Sequence, residues 1–148
     1  MSLKSRIDQD LKAAMLGGDK PLVSVLRGIK SAILYEELAK NQREVGMDDG
    51  QLIILLQKEL KKRVEAADLF ARGGAKEREE NERYEAGVIT AYLPQQITDE
   101  ELTEIIKEII GQLGNGANMG SVIGAVKAKV GASADGSRIA QKVKEELA

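Results

Sequence analysis

Apolar residues recur at helical spacing along almost the whole chain. Leu3, Ile7, Leu11 and Met15 stand four apart behind Ser2, a good N-cap, and Gly17-Gly18 ends the run. Asp19 then caps a second helix, with Pro21 in its first turn, where a proline is tolerated. Leu22, Val25, Leu26, Ile29, Ala32, Ile33 and Leu38 form its expected stripe, running to about Asn41. A polar turn over 41–46 leads to a long helix that starts at Asp48 or Asp49 and reaches about Arg72. Ile53, Leu56, Leu60, Val64, Ala67 and Phe70 mark its predicted buried side. Gly73-Gly74 breaks that helix. The next one, Ala75 to Tyr92, is highly charged at first and apolar at its end. Tyr84, Val88, Ala91 and Tyr92 are expected to share a face, and the charged half to project into solvent.

Pro94 closes this helix, since proline lacks an amide hydrogen and forces Leu93 out of the α region. Thr98 opens the next, and Thr98 with Glu101 has the spacing of a capping box. Leu102, Ile105, Ile106, Ile109 and Ile110 then define one helix, and Met119, Val122, Ile123, Val126 and Val130 another. Asp135 is placed to cap a last one anchored by Ile139 and Val143. No alternating run demands a strand. The pattern predicts an all-α protein of about seven helices: long N-terminal helical hairpins over 1–95 and a small C-terminal three-helix bundle over 96–148.

Composition narrows the chemistry. The chain has 148 residues, with no cysteine and no histidine. Thiol nucleophiles, cysteine metal sites and the commonest general base are therefore absent. The serines have no histidine partner, and the glutamates over 77–85 alternate with Lys76, Arg78 and Arg83 as a solvated helix face does. No catalytic residue, metal site or cofactor is expected. The glycines from Gly111 to Gly124 do not follow a strand and lack the spacing of a nucleotide fingerprint. They read as turn and close-packing glycines. The longest apolar run, Leu52 to Leu56, is too short to span a bilayer, and the charged N-terminus lacks the apolar core of a secretion signal. A cytoplasmic protein with no membrane association is the expectation.

The net charge is −2, so any nucleic-acid contact must come from local patches. One candidate is Lys58, Lys61, Lys62 and Arg63 on the long helix. The other is Lys127, Lys129, Arg138, Lys142 and Lys144 in the last two helices, where Ser137 and Arg138 open a helix whose amides can receive a phosphate.

Three stretches resemble the YqeY-like family. They are Ile89-x-x-Tyr92-Leu93-Pro94-x-Gln96-x-Thr98-x-x-Glu101-Leu102, Met119-Gly120-x-Val122-Ile123-Gly124, and Ala134-Asp135-Gly136-Ser137 followed by Ile139 and Val143. The segment Val25-Leu26-Arg27-x-Ile29-Lys30-Ser31-Ala32 is similar to the family's second helix. That family shares a C-terminal module with the B subunit of the glutamine-dependent aspartyl/glutamyl-tRNA amidotransferase, a carbon-nitrogen ligase, where the module is a tail that touches tRNA. The resemblance implies a two-part, all-α accessory protein near tRNA-dependent amidation, without the catalytic domains. Gly120, Gly124, Asp135 and Gly136 match the motifs and are expected to set shape, the glycines by close helix approach and Asp135 as a cap. Lys127, Lys129, Arg138 and Lys142 would supply phosphate contacts. tRNA is the expected partner, together with an amidotransferase or tRNA-processing protein. Two other readings stand beside this one. A protein-interaction module predicts an exposed apolar groove, and a free-standing ligase predicts a pocket with perturbed ionisable groups.

Overall fold

Most helices of this chain begin where a side chain can answer their open amides. The computed structural model describes all residues, Met1–Ala148. It contains α1 (Leu3–Leu16), α2 (Lys20–Ala39), α3 (Asp49–Arg72), α4 (Lys76–Thr90), α5 (Asp99–Leu113), α6 (Met119–Val130) and α7 (Gly136–Leu147), with no strand. Ser2, Asp19, Asp48, Thr98, Asn118 and Asp135 each accept a backbone amide of the first turn of their helix. Thr98 with Glu101 forms the capping box its spacing predicts. The helices group into two compact units, Met1–Tyr92 and Leu93–Ala148.

In the first unit α1 packs on α2 and α3 on α4, and α2 also meets α3 and α4. Ile7, Leu26, Ile33, Leu52 and Leu56 are almost fully buried at its centre. The predicted stripes of α2 and α3 are mostly buried or half-buried, but three helices each expose a position that was expected inside. Helix α2 ends at Ala39, Leu38 is exposed, and the slot that continues Leu26, Ile29 and Ile33 is filled by Glu37. On α3 Val64 faces outward and Arg63 inward, because Arg63 Nη1 bridges Glu82 at 3.0 Å and Glu85 at 3.3 Å. Tyr84 is exposed for the same reason: α4 turns Glu82, Glu85, Ala86 and Ile89 toward its neighbours. The charged half of α4 does not project. It lies along α3, with Arg83 bonded to Asp68 at 3.2 Å and Arg78 over the Phe70 ring. Ion pairing across the two helices replaces the apolar stripe that the periodicity lacks.

In the second unit α5, α6 and α7 all touch one another around Leu102, Ile106, Ile109, Val122, Val126, Ala134, Ile139 and Val143. Gly114 at φ +53 and Gly131 at φ +56 end α5 and α6 in the left-handed region, which a side chain there would strain. The strand-like residues before α5 are stitched to the loop before α7. Ile97 N donates to Ser133 O at 2.9 Å and Gln96 Nε2 to Ala132 O at 3.1 Å.

Candidate nucleic-acid interface

The apolar side of α6 is fixed by Val122 and Val126, both fully buried. That choice turns Gly120, Gly124, Lys127 and Ala128 outward, four positions related by helical spacing. Gly124 does not serve close helix packing as expected. It is exposed, and a Cβ there would meet nothing within 4 Å. At Gly120 a Cβ would meet only the side chain of Asn118, at 3.5 Å. Both glycines leave the backbone of α6 bare on its solvent side. An exposed glycine inside a helix costs about 1 kcal/mol relative to alanine, and nothing within this unit returns that cost.

Lys127 ends the bare face. Its side chain lies over the start of α7, where a Cβ on Gly136 would sit 3.5 Å from both Lys127 Cε and Nζ. A larger residue at 136 would crowd this ammonium away from the first turn of α7. Asp135 performs the capping role its position predicts, accepting the Arg138 amide at 2.8 Å. Gly120, Gly124, Lys127 and Gly136 are thus brought into one exposed tract.

Of the remaining cations, Arg138, Lys129 and Lys142 are paired with acids and Lys144 is not. Arg138 reaches back to α5: its guanidinium contacts Asp99 at 2.9 Å and donates to the carbonyl of Ile97. Lys129 lies 3.4 Å from Glu108, and Lys142 3.5 Å from Glu145. The acid of each pair is more than half exposed, so each holds its cation by no more than about 1 kcal/mol. Asp99 and Glu108 are the partners that reading the cations alone misses. They come from α5, so only the packing of the three helices brings them within reach. Of the second basic group, on α3, only Arg63 turns inward, to bind α4; Lys58, Lys61 and Lys62 stay exposed, Lys62 within 3.4 Å of Glu59.

Two acidic sites in the first unit also escape a reading of periodicity. Glu37 Oε2 accepts from Lys4 Nζ at 2.8 Å and from the Met47 amide at 2.9 Å. The Lys4 hydrogen bond holds its carboxyl below the usual carboxylate range, against burial, which pushes the other way; the Met47 amide helps. Tyr92, in the joint motif, donates to Asp10 at 2.5 Å while Arg6 stacks over its ring at 4.8 Å. Burial first, and the Asp10 carboxylate second, push the phenol upward. The tyrosine of this motif is a tether between α1 and the end of α4.

The fold and this tract define an all-helical protein carrying a three-helix C-terminal module with one bare, cation-tipped face. A family model described as Yqey-like protein matches residues 4–147, nearly the whole chain. The chain belongs to the YqeY-like family. It is also similar to "Altered inheritance of mitochondria protein 41, mitochondrial" of Pyrenophora tritici-repentis (strain Pt-1C-BFP), at 25% identity over 144 residues. That alignment covers 95% of this chain and 78% of the fungal one. No helix is long and apolar enough to cross a membrane.

Proposed function

We propose that this chain is a non-catalytic accessory module that binds tRNA through the outer face of α6 and the start of α7. The observation that carries the reading is the bare tract of Gly120 and Gly124 leading to Lys127 over Gly136. Exposed helical glycines let a partner's backbone come close, and a cation beside a helix N-terminus suits a phosphate there. Lys129, Arg138 and Lys142 stand nearby in weak pairs that a phosphate can displace. Such contacts give affinity without reading sequence, so selectivity comes from the shape of a folded RNA. Asp99, Glu108 and Glu145 temper that affinity. The role belongs beside tRNA-dependent amidation, with an amidotransferase or tRNA-processing protein as companion. Cytoplasmic placement is part of the same proposal; the fungal relative is by its name mitochondrial.

A second reading rests on the same tract, because a bare helix face also receives a partner helix. Met119, 40% exposed beside Gly120, favours it. The two separate by charge. Lys127→Glu weakens RNA retention more than tenfold at low salt if phosphates are bound, whereas a protein partner docking on Met119 and Gly124 is lost with Gly124→Leu and is far less sensitive to salt.

A further inference from the structure

The first unit holds a cleft of about 480 Å³ between α1, α2 and the loop after α2, in the size range of small-ligand sites. Leu34 is the exposed part of its apolar wall, with Ile7 and Ile33 buried behind it. Its polar wall carries three cations, Lys4, Lys30 and Arg43, against two acids, Asp8 and Glu37. Two of the cations are spent internally. Lys4 binds Glu37 at 2.8 Å and Lys30 binds Asp8 at 2.8 Å. Arg43 makes no close ion pair, its charge reaching Glu37 only at longer range, and the nearby Ser31 hydroxyl, unlike that of Thr90, does not turn back to its own helix. Lys30 and Ser31 come from the α2 segment that carries the family likeness, and the role at α6 leaves both unused. They are adjacent in sequence, yet the cleft is wide enough for both to line it.

We infer that this cleft binds a small amphipathic oxyanion, a carboxylate or phosphate monoester with a short apolar body. The anionic group takes the open donors of Arg43 and Ser31, with a planar, bidentate fit to the guanidinium. The apolar body lies on Leu34, which is 40% exposed without it. The lining carries one more cation than acid, which favours an anion over a cation. Glu37 fixes the cleft's shape by anchoring both Lys4 and the Met47 amide, so the ligand meets a preformed site. This site lies in a different unit from the tRNA tract and stands or falls independently of it.

The test is an amide NMR titration of the full chain with inorganic phosphate, phenyl phosphate and hexanoate. Saturable shifts at Lys30, Ser31, Arg43 and Met47 are expected, with phenyl phosphate or hexanoate binding more tightly than inorganic phosphate. Arg43→Ala, a change at an exposed side chain, should weaken binding about tenfold, the loss of one charge-assisted contact. Lys127→Glu should leave it unchanged. Whichever of the two organic probes binds more tightly names the headgroup. Linear, unsaturated shifts with all three probes at millimolar concentration, or equal affinity in Arg43→Ala, overturn the inference.

Discussion

Arg138 grips Asp99 with two nitrogens, Nε at 3.0 Å and Nη2 at 2.9 Å. The pair ties the first turn of α7 to the first turn of α5, and it holds a cation of the proposed interface in check. Asp99→Asn removes that restraint and leaves the guanidinium for a phosphate. We expect tRNA affinity to rise about threefold at low salt, read by filter retention, with stability falling by no more than about 1 kcal/mol since Asp99 is exposed. Unchanged or weaker retention contradicts a role for Arg138 at the interface.

Gly124 separates stability from function. Nothing surrounds its missing side chain, so Gly124→Ala should raise the stability of the protein by about 0.5–1 kcal/mol in urea unfolding. The same change should weaken RNA retention, because the methyl group holds a backbone away from α6. A variant that is stabilised and binds equally well shows that the bare face is not used.

The Tyr92 hydroxyl donates to the Asp10 carboxylate in a partly buried setting. Tyr92→Phe keeps the ring and its Arg6 contact and deletes only the donor. A loss of about 1–2 kcal/mol is expected, seen as a lower urea midpoint with an unchanged slope. The raised phenol means that the neutral form is preferred in the folded state. This contribution is therefore full below the ordinary tyrosine range and fades only as pH rises through the higher folded value.

Glu37 carries the opposite sign. Its folded pKa is depressed, by Lys4 foremost, so its stabilising effect is complete above the usual carboxylate range and is lost as pH falls through the lower folded value. Glu37→Gln should cost about 1–2 kcal/mol at pH 7, since Lys4 is itself one-third exposed. The difference from the parent protein should shrink as pH falls below the usual carboxylate range and the folded-state carboxyl takes up its proton. A gap that does not change with pH assigns the effect to shape and not to charge.

Periodicity and caps made the seven helices legible, because Asp19, Thr98 and Asp135 mark starts by chemistry that does not depend on tertiary contacts. Most of the apolar face of α3 was legible, Leu56 and Ala67 being buried as their spacing predicts, but the polar part of the contact between α3 and α4 was not. That part is made by Arg63, Glu82 and Glu85, residue types that a hydrophobic pattern assigns to solvent. Glu37 hid for the same reason, although its position continues the Leu26-Ile29-Ile33 slot. At the candidate interface the residues were visible as types. Their arrangement was not: Asp99 is 39 positions from Arg138, and no local rule pairs them. The outward direction of Gly124 likewise followed only once Val122 and Val126 were seen to face the core.

The central claim is tested most directly by retention of labelled tRNA on filters with the full chain across a salt series. The account predicts saturable binding whose logarithm falls with the logarithm of salt at a slope of about −3, for some four phosphate contacts, and whose affinity drops with Lys127→Glu. No retention at low salt, where such contacts are strongest, or retention indifferent to Lys127→Glu, contradicts it and moves the outer face of α6 to a protein partner.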